Sequence, residues 1–254
     1  MTDQLIAIIM ILLAGFATGI GALPILFTDN VSHKILDILL GFSAGVMLAA
    51  TSFSLILPAI EHGGGDLKSV LICSIGILAG GVLLDTFDRY LPHVHPVDQR
   101  QEGIEDTAIT GIWLFVFAIA LHNFPEGLAT GVGFGTGNIS DGIVIAASIA
   151  IQNIPEGLAV AVSLRKINYD KNFALMVATL TGLIEPVGAG LGIFLVNIFQ
   201  PLIGFILALA GGAMLFIISD EIIPETHSGG HERQATYGLM LGFVVMIIMW
   251  VLLG

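Results

Sequence analysis

The chain has 254 residues, 56% of them hydrophobic and only 11% charged, and its mean hydropathy is +0.96. A soluble globular domain carries about 25% charged residues, so this composition excludes that class. The net charge of −12 argues against nucleic acid as a partner, and a single cysteine, Cys73, excludes both a disulfide framework and a thiolate metal cluster.

Apolar runs long enough to cross a bilayer recur from end to end. They predict an all-α integral membrane protein with eight transmembrane helices in one domain, roughly 5–27, 35–57, 68–90, 108–131, 140–163, 172–197, 201–223 and 235–253. The first run has no positive charge ahead of it and is too long for the core of a signal peptide, so it reads as a span. Thr28-Asp29-Asn30, Gly63-Gly64-Gly65-Asp66, Thr136-Gly137-Asn138 and Ser228-Gly229-Gly230 are polar or glycine-rich breaks that do not continue a helix. Gln200-Pro201 is the softest boundary, because apolar residues flank it on both sides. The longest polar stretch, 91–107, carries His93 and His95 with Asp98, Glu102, Glu105 and Asp106, a set able to hold a metal ion loosely.

Charge orients the spans. With the amino terminus outside, Lys34, Arg89, Arg100, Arg165, Lys166, Lys171 and Arg233 fall on the cytoplasmic side and only Lys68 falls outside. That asymmetry follows the positive-inside rule and places both termini outside, with 91–107 as a cytoplasmic loop.

Two pairs of spans repeat in opposite directions. Asn123-Phe-Pro125-Glu126-Gly127-Leu128-Ala129 in span four matches Asn153-Ile-Pro155-Glu156-Gly157-Leu158-Ala159 in span five. Ala44-Gly45-Val46-Met47-Leu48 in span two, with Pro58 beyond it, matches Gly211-Gly212-Ala213-Met214-Leu215 and Pro224 in span seven. Inverted repeats of this kind are characteristic of secondary transporters, which bind cargo near the membrane midplane.

Span four is where the chemistry begins. His122, Asn123 and Glu126 lie three and four residues apart, so their side chains share one helix face. Pro125 lacks an N–H, which frees the Leu121 carbonyl and predicts a local opening of the helix. Span five repeats the set with Gln152, Asn153, Pro155 and Glu156, and span six adds Glu185-Pro186 to an apolar run. Each charged carboxylate at mid-membrane costs about 2.5–3.5 kcal/mol, and no Lys or Arg lies near the centre of spans four to six to offset it. Protons or a bound cation must supply the balance. Imidazole, carboxylate and amide donors together suit Zn²⁺, Fe²⁺ or Mn²⁺ better than Cu⁺, which prefers sulfur. Met47 and Ser54 share one stripe of span two, and Asp220 and Glu221 sit near the cytoplasmic end of span seven, where they form a candidate exit path with His93 and His95. The Gly-x-x-x-Gly spacings at Gly41–Gly45, Gly76–Gly80, Gly127–Gly131 and Gly188–Gly192 predict close helix packing.

His122-Asn-Phe-Pro-Glu126-Gly and Gln152-Asn-Ile-Pro-Glu156-Gly resemble the signature of the ZIP family of metal transporters, its prokaryotic branch in particular, and the resemblance covers all eight spans. It implies a two-metal centre bridged by Glu126 and Glu156. His122 and Gln152 would complete one metal, with Met47 nearby; Asn123, Asn153 and Glu185 would complete the other. Many relatives have a His at the position of Gln152, which leaves the choice among Zn²⁺, Fe²⁺, Mn²⁺ and Cd²⁺ open. The resemblance also implies that spans one, four, five and six carry the metal while two, three, seven and eight form a scaffold.

The expected activity is secondary transport of divalent metal into the cytoplasm by alternating access, with the metal as cargo and no prosthetic group. No P-loop and no His-Glu-x-x-His motif is present, so neither ATP-driven pumping nor a zinc hydrolase fits. A passive cation channel is the alternative, and a membrane-embedded metalloenzyme a weaker one. The expected setting is the lipid bilayer of a plasma membrane, with a homodimer left open.

Overall fold

A computed structural model describes residues 2–28, 31–90 and 107–253, which form helices joined by short turns and, among the described residues, no strand. The helices are α1 (Asp3–Ala22), α2 (His33–Ala50), α3 (Leu57–His62), α4 (Leu67–Tyr90), α5 (Thr107–Gly135), α6 (Ile139–Lys166), α7 (Lys171–Gly182), α8 (Glu185–Ile198), α9 (Ile203–Ile217), α10 (Ile223–Thr226) and α11 (Glu232–Leu253). Side chains with oxygen acceptors start several of them. The Ser32 hydroxyl accepts from Ile35 N at α2, Asn138 Oδ1 from Ser140 N at α6, and Asp170 Oδ1 from Asn172 N and Phe173 N at α7. Gly64, Gly65, Gly137 and Gly230 take positive φ in the turns between helices, where a side chain would be strained.

Among the described residues, seven stretches are long and apolar enough to cross a membrane: Asp3–Leu26, His33–His62, Leu67–Thr86, Ile139–Lys166, Lys171–Ile198, Gln200–Thr226 and Glu232–Leu253. Large apolar side chains such as Leu13, Ile75, Leu78, Phe194, Leu241 and Ile248 point outward, the inverse of a water-soluble surface. Helix α5 lies outside those seven; its 29 residues extend about 43 Å at the α-helical rise.

Proline places the discontinuities, although not always where the sequence suggests. Pro125 and Pro155 sit inside α5 and α6, which run on as α-helix, so the expected local opening does not occur. Span six is instead two helices. It breaks at Leu183 and Ile184, and Pro186 stands in the first turn of α8, where its missing N–H costs nothing. Spans two and seven each widen into a π-helical turn, Thr51–Ile56 and Ile218–Ile222, directly before Pro58 and Pro224.

Glycine sets the packing. α2 lies along α11, α4 along α9, α1 along α6 and α5 along α8. A Cβ at Gly45 would stand 1.9 Å from the Leu239 carbonyl oxygen, and one at Gly80 would stand 2.0 Å from that of Leu209, so only glycine allows these backbones to meet. The same contacts recur across the two halves of the chain. Gly157 lies on Thr18 as Gly127 lies on Glu185, and Gly21 lies on Ile154 as Gly188 lies on Phe124. Thr18 and Glu185 are 167 positions apart, as are Gly21 and Gly188, and so are Gly15 and Gly182, whose backbones touch each other. The offset continues through Met47 and Met214 to Thr51 and Ile218, which open the two π-helical turns. Gly15 meets Gly182 while Gly19 meets Thr179, so α1 and α7 run antiparallel, as an inverted repeat requires. Spans one and six are thus a third repeated pair, alongside spans two and seven and spans four and five.

Candidate metal centre

Helices α5 and α6 face each other with their polar residues inward, and α1, α2, α8 and α9 close the remaining sides. His122, Asn123, Glu126, Gln152, Asn153, Glu156 and Glu185 are each 3% exposed or less. The small residues that follow the carboxylates account for this depth. Gly127 lets the α5 backbone touch Glu185 of α8, and Gly157 lets the α6 backbone touch Thr18 of α1, drawing four helices around one point.

The side chains are linked pair by pair. The Gln152 amide donates to Glu126 Oε1, and the Asn153 amide donates both to Glu185 Oε1 and to the Ala14 carbonyl of α1, the latter at 3.1 Å. Ser43 of α2 donates to Glu156 Oε1 at 2.7 Å. His122 Nε2 lies 2.7 Å from Glu221 Oε1, which projects from the π-helical turn of span seven. Glu185 is the first residue of α8, where the positive end of the helix dipole favours a carboxylate.

After these bonds are made, six oxygens remain buried without any hydrogen-bond partner: Asn123 Oδ1, Glu126 Oε2, Gln152 Oε1, Asn153 Oδ1, Glu156 Oε2 and Glu185 Oε2. Every one is an acceptor, and buried polar atoms are ordinarily satisfied. The three carboxylates also act on one another's charge. The sequence holds no Lys or Arg from 101 to 164, from 172 to 232 or from 35 to 67, so no side-chain ammonium or guanidinium on these helices is available at that depth. Among the described residues no three His, Cys, Asp or Glu side chains are grouped to hold an ion by themselves. Carboxylates alternate with amides instead, and the amide N–H groups of Gln152 and Asn153 stand where positive charge is needed.

Other expected positions divide. Met47 is fully buried in a core with Ala14, Ala44, Leu128 and Ala129, beside the polar cluster. Glu221 joins the cluster through His122, whereas Asp220 lines a separate groove with Gly81, Asp85, Phe216 and Ser219 between α4 and α9. His93 and His95 lie outside the described residues. Ser43 was not singled out by the sequence, although it stands four residues before Met47 and so on the same face of α2.

Residues 95–250 match the family described as ZIP zinc transporter. The zinc transporter GufA of Myxococcus xanthus is 43% identical over 96% of this chain and 97% of its own length. The zinc transporter ZIPB of Bordetella bronchiseptica is 43% identical over 95% of this chain and 79% of its own. The zinc transporter ZIP11 of Homo sapiens is 29% identical, with 93% of this chain and 94% of its own length covered.

Proposed function

The chain belongs to the ZIP zinc transporter family, and from that premise we propose that it is a secondary transporter carrying divalent first-row metal ions into the cytoplasm. Zn²⁺ is the first substrate, with Fe²⁺, Mn²⁺ and Cd²⁺ admitted by the same donors. The observation that carries the reading is the set of six unpartnered acceptor oxygens, three of them carboxylate, enclosed by helices without a Lys or Arg at that depth. Divalent cations held between α5 and α6 supply the missing partners. Borderline-soft Zn²⁺ accepts mixed imidazole and oxygen ligands, and Mn²⁺ accepts oxygen.

In this account Glu126 and Glu156 bridge two ions. His122 and Gln152 complete one beside Met47; Asn123, Asn153 and Glu185 complete the other. Binding turns the amide carbonyl oxygens of Gln152 and Asn153 towards the metal, replacing the N–H contacts they make with carboxylates. Glu221 takes the ion from His122 on its way to the cytoplasm, with His93 and His95 as the proposed later stops, while Asp220 faces the separate groove between α4 and α9. Eight spans in a single domain, with α5 as the fourth, put both termini on one side of a plasma membrane, and the asymmetry of Lys and Arg supports the outer side.

Burial favours a carrier over a channel. The candidate ligands are closed off from solvent, as a carrier's site is midway through alternating access, whereas a channel keeps a continuous wet path. Reconstituted vesicles loaded with a metal-sensitive dye test the reading. Uptake of Zn²⁺ saturates with concentration in the wild type and is lost in Glu126→Ala and Glu156→Ala at equal protein incorporation. Normal saturable uptake by either variant overturns the bridging role of that residue.

A further inference from the structure

The repeat gives one metal-site residue a counterpart that the motifs do not reveal. Glu185 in α8 corresponds to Thr18 in α1, and each stands against the glycine that follows a motif carboxylate, Gly127 after Glu126 and Gly157 after Glu156. Glu185 is therefore to Glu126 what Thr18 is to Glu156. Asn153 and Asn123 correspond in the same way within α6 and α5.

The two halves differ in how they are satisfied. Asn153 donates to Glu185 and to the Ala14 carbonyl, so that half is tied by direct hydrogen bonds. The corresponding bonds would run from Asn123 to Thr18 and to the Thr181 carbonyl. Neither is made: Asn123 Nδ2, Asn123 Oδ1 and Thr18 Oγ1 are all buried without a partner. Thr18 and Asn123 are both 0% exposed. A threonine hydroxyl in a helix ordinarily bonds a carbonyl of the preceding turn, as Thr130 does with Glu126 and Thr179 with Leu175. Thr18 makes no such bond.

We infer that Thr18 is a further binding residue, whose hydroxyl supplies a neutral oxygen to the divalent cation on the Asn123 side of the site. The site then has an anionic lobe, Asn153 with Glu185, and a neutral lobe, Asn123 with Thr18. The neutral lobe leaves a divalent ion part of its water and holds it less tightly, which suits a site that must also release its cargo. The inference rests on the proposed transport function and adds a residue that its ligand set lacks.

The test compares Thr18→Val, which keeps the shape and removes the oxygen, with Thr18→Ser, which keeps the oxygen and removes the methyl. Zn²⁺ uptake by vesicles and Zn²⁺ calorimetry on the detergent-solubilised protein are read side by side. Thr18→Val raises both KM and Kd about tenfold, the size expected for one withdrawn oxygen partner, with kcat changed less than twofold. Thr18→Ser restores most of the affinity. A Thr18→Val protein with wild-type Kd overturns the inference, as does a Thr18→Ser protein impaired as much as Thr18→Val, because packing and not the oxygen would then explain the residue. Loss of folded protein in both Thr18→Val and Thr18→Ala assigns the side chain to packing and overturns it equally. If the wild type shows neither saturable uptake nor Zn²⁺ binding, the transport function itself fails, an outcome distinct from a Thr18 effect that is absent in an active protein.

Discussion

Replacing Glu126 with Gln removes a charge while keeping the side chain's length and its oxygen for the Gln152 amide. Glu126 is fully buried, its Oε2 has no partner, and the charges of Glu156 and Glu185 act on it. A charged acid at the centre of a membrane helix costs about 2.5–3.5 kcal/mol, and the neutral amide keeps part of that cost, so the metal-free variant gains on the order of 1–2 kcal/mol. The metal-bound protein responds in the opposite sense. At a Zn²⁺ concentration of about 100 Kd, binding stabilises the wild type by about 2.7 kcal/mol, and a hundredfold weaker site leaves only about 0.4 kcal/mol. Unfolding in detergent, followed with chelator and again with Zn²⁺, therefore shows Glu126→Gln above the wild type without metal and below it with metal. A variant that is less stable without metal yet keeps the full Zn²⁺ gain refutes the reasoning. In that case Glu126 would be a tie between helices and not a ligand.

Three further outcomes follow from the same structure. A Cβ at Gly157 would lie 1.8 Å from the Thr18 backbone oxygen, so Gly157→Ala costs about 1–3 kcal/mol or more in unfolding experiments, while Gly190→Ala in α8, with nothing within 4 Å, gains about 0.5–1 kcal/mol; equal effects contradict the helix contacts. Gln152→His replaces an amide oxygen by a stronger nitrogen ligand, so competition uptake shifts towards Zn²⁺ over Mn²⁺, and an unchanged preference removes Gln152 from the ligand set. A Cys placed at Gly64 reacts with an impermeant thiol reagent from outside and one at Ser228 only from the cytoplasm, against the buried background of Cys73; the reverse pattern overturns the orientation.

Much of this architecture was legible because a bilayer simplifies the code. Hydropathy and turn residues placed the helical runs within a few residues, and the paired Asn-x-Pro-Glu motifs together with Glu185-Pro186 supplied seven ligand candidates that are all buried. The remainder depended on packing. From 15–22 against 182–189, spans one and six share only Gly15 with Gly182, Gly21 with Gly188 and Ala22 with Ala189, and a Thr facing a Glu conceals the relation. Backbone contacts through those glycines reveal it. Pro125 and Pro155 suggested openings that their helices do not make, since both run on as α-helix. The actual break precedes Pro186, where a proline in the first turn interrupts nothing that the helix needs. Glu221 read as part of an exit path at the end of span seven, since a regular α-helix gives no reason for it to approach span four. The π-helical turn that carries it, and its contact with His122, have no signature in hydropathy.

The central claim is that a divalent ion sits between Glu126 and Glu156, and anomalous diffraction from crystals soaked in Zn²⁺ tests it most directly. Data collected on either side of the zinc absorption edge should show strong density within bonding distance of both carboxylates, about 2.0–2.2 Å from their oxygens, with His122 Nδ1 or Nε2 about 2.0–2.1 Å from one ion. Zinc density found only at the surface or in the Asp85–Asp220 groove, with none between α5 and α6, would contradict the account.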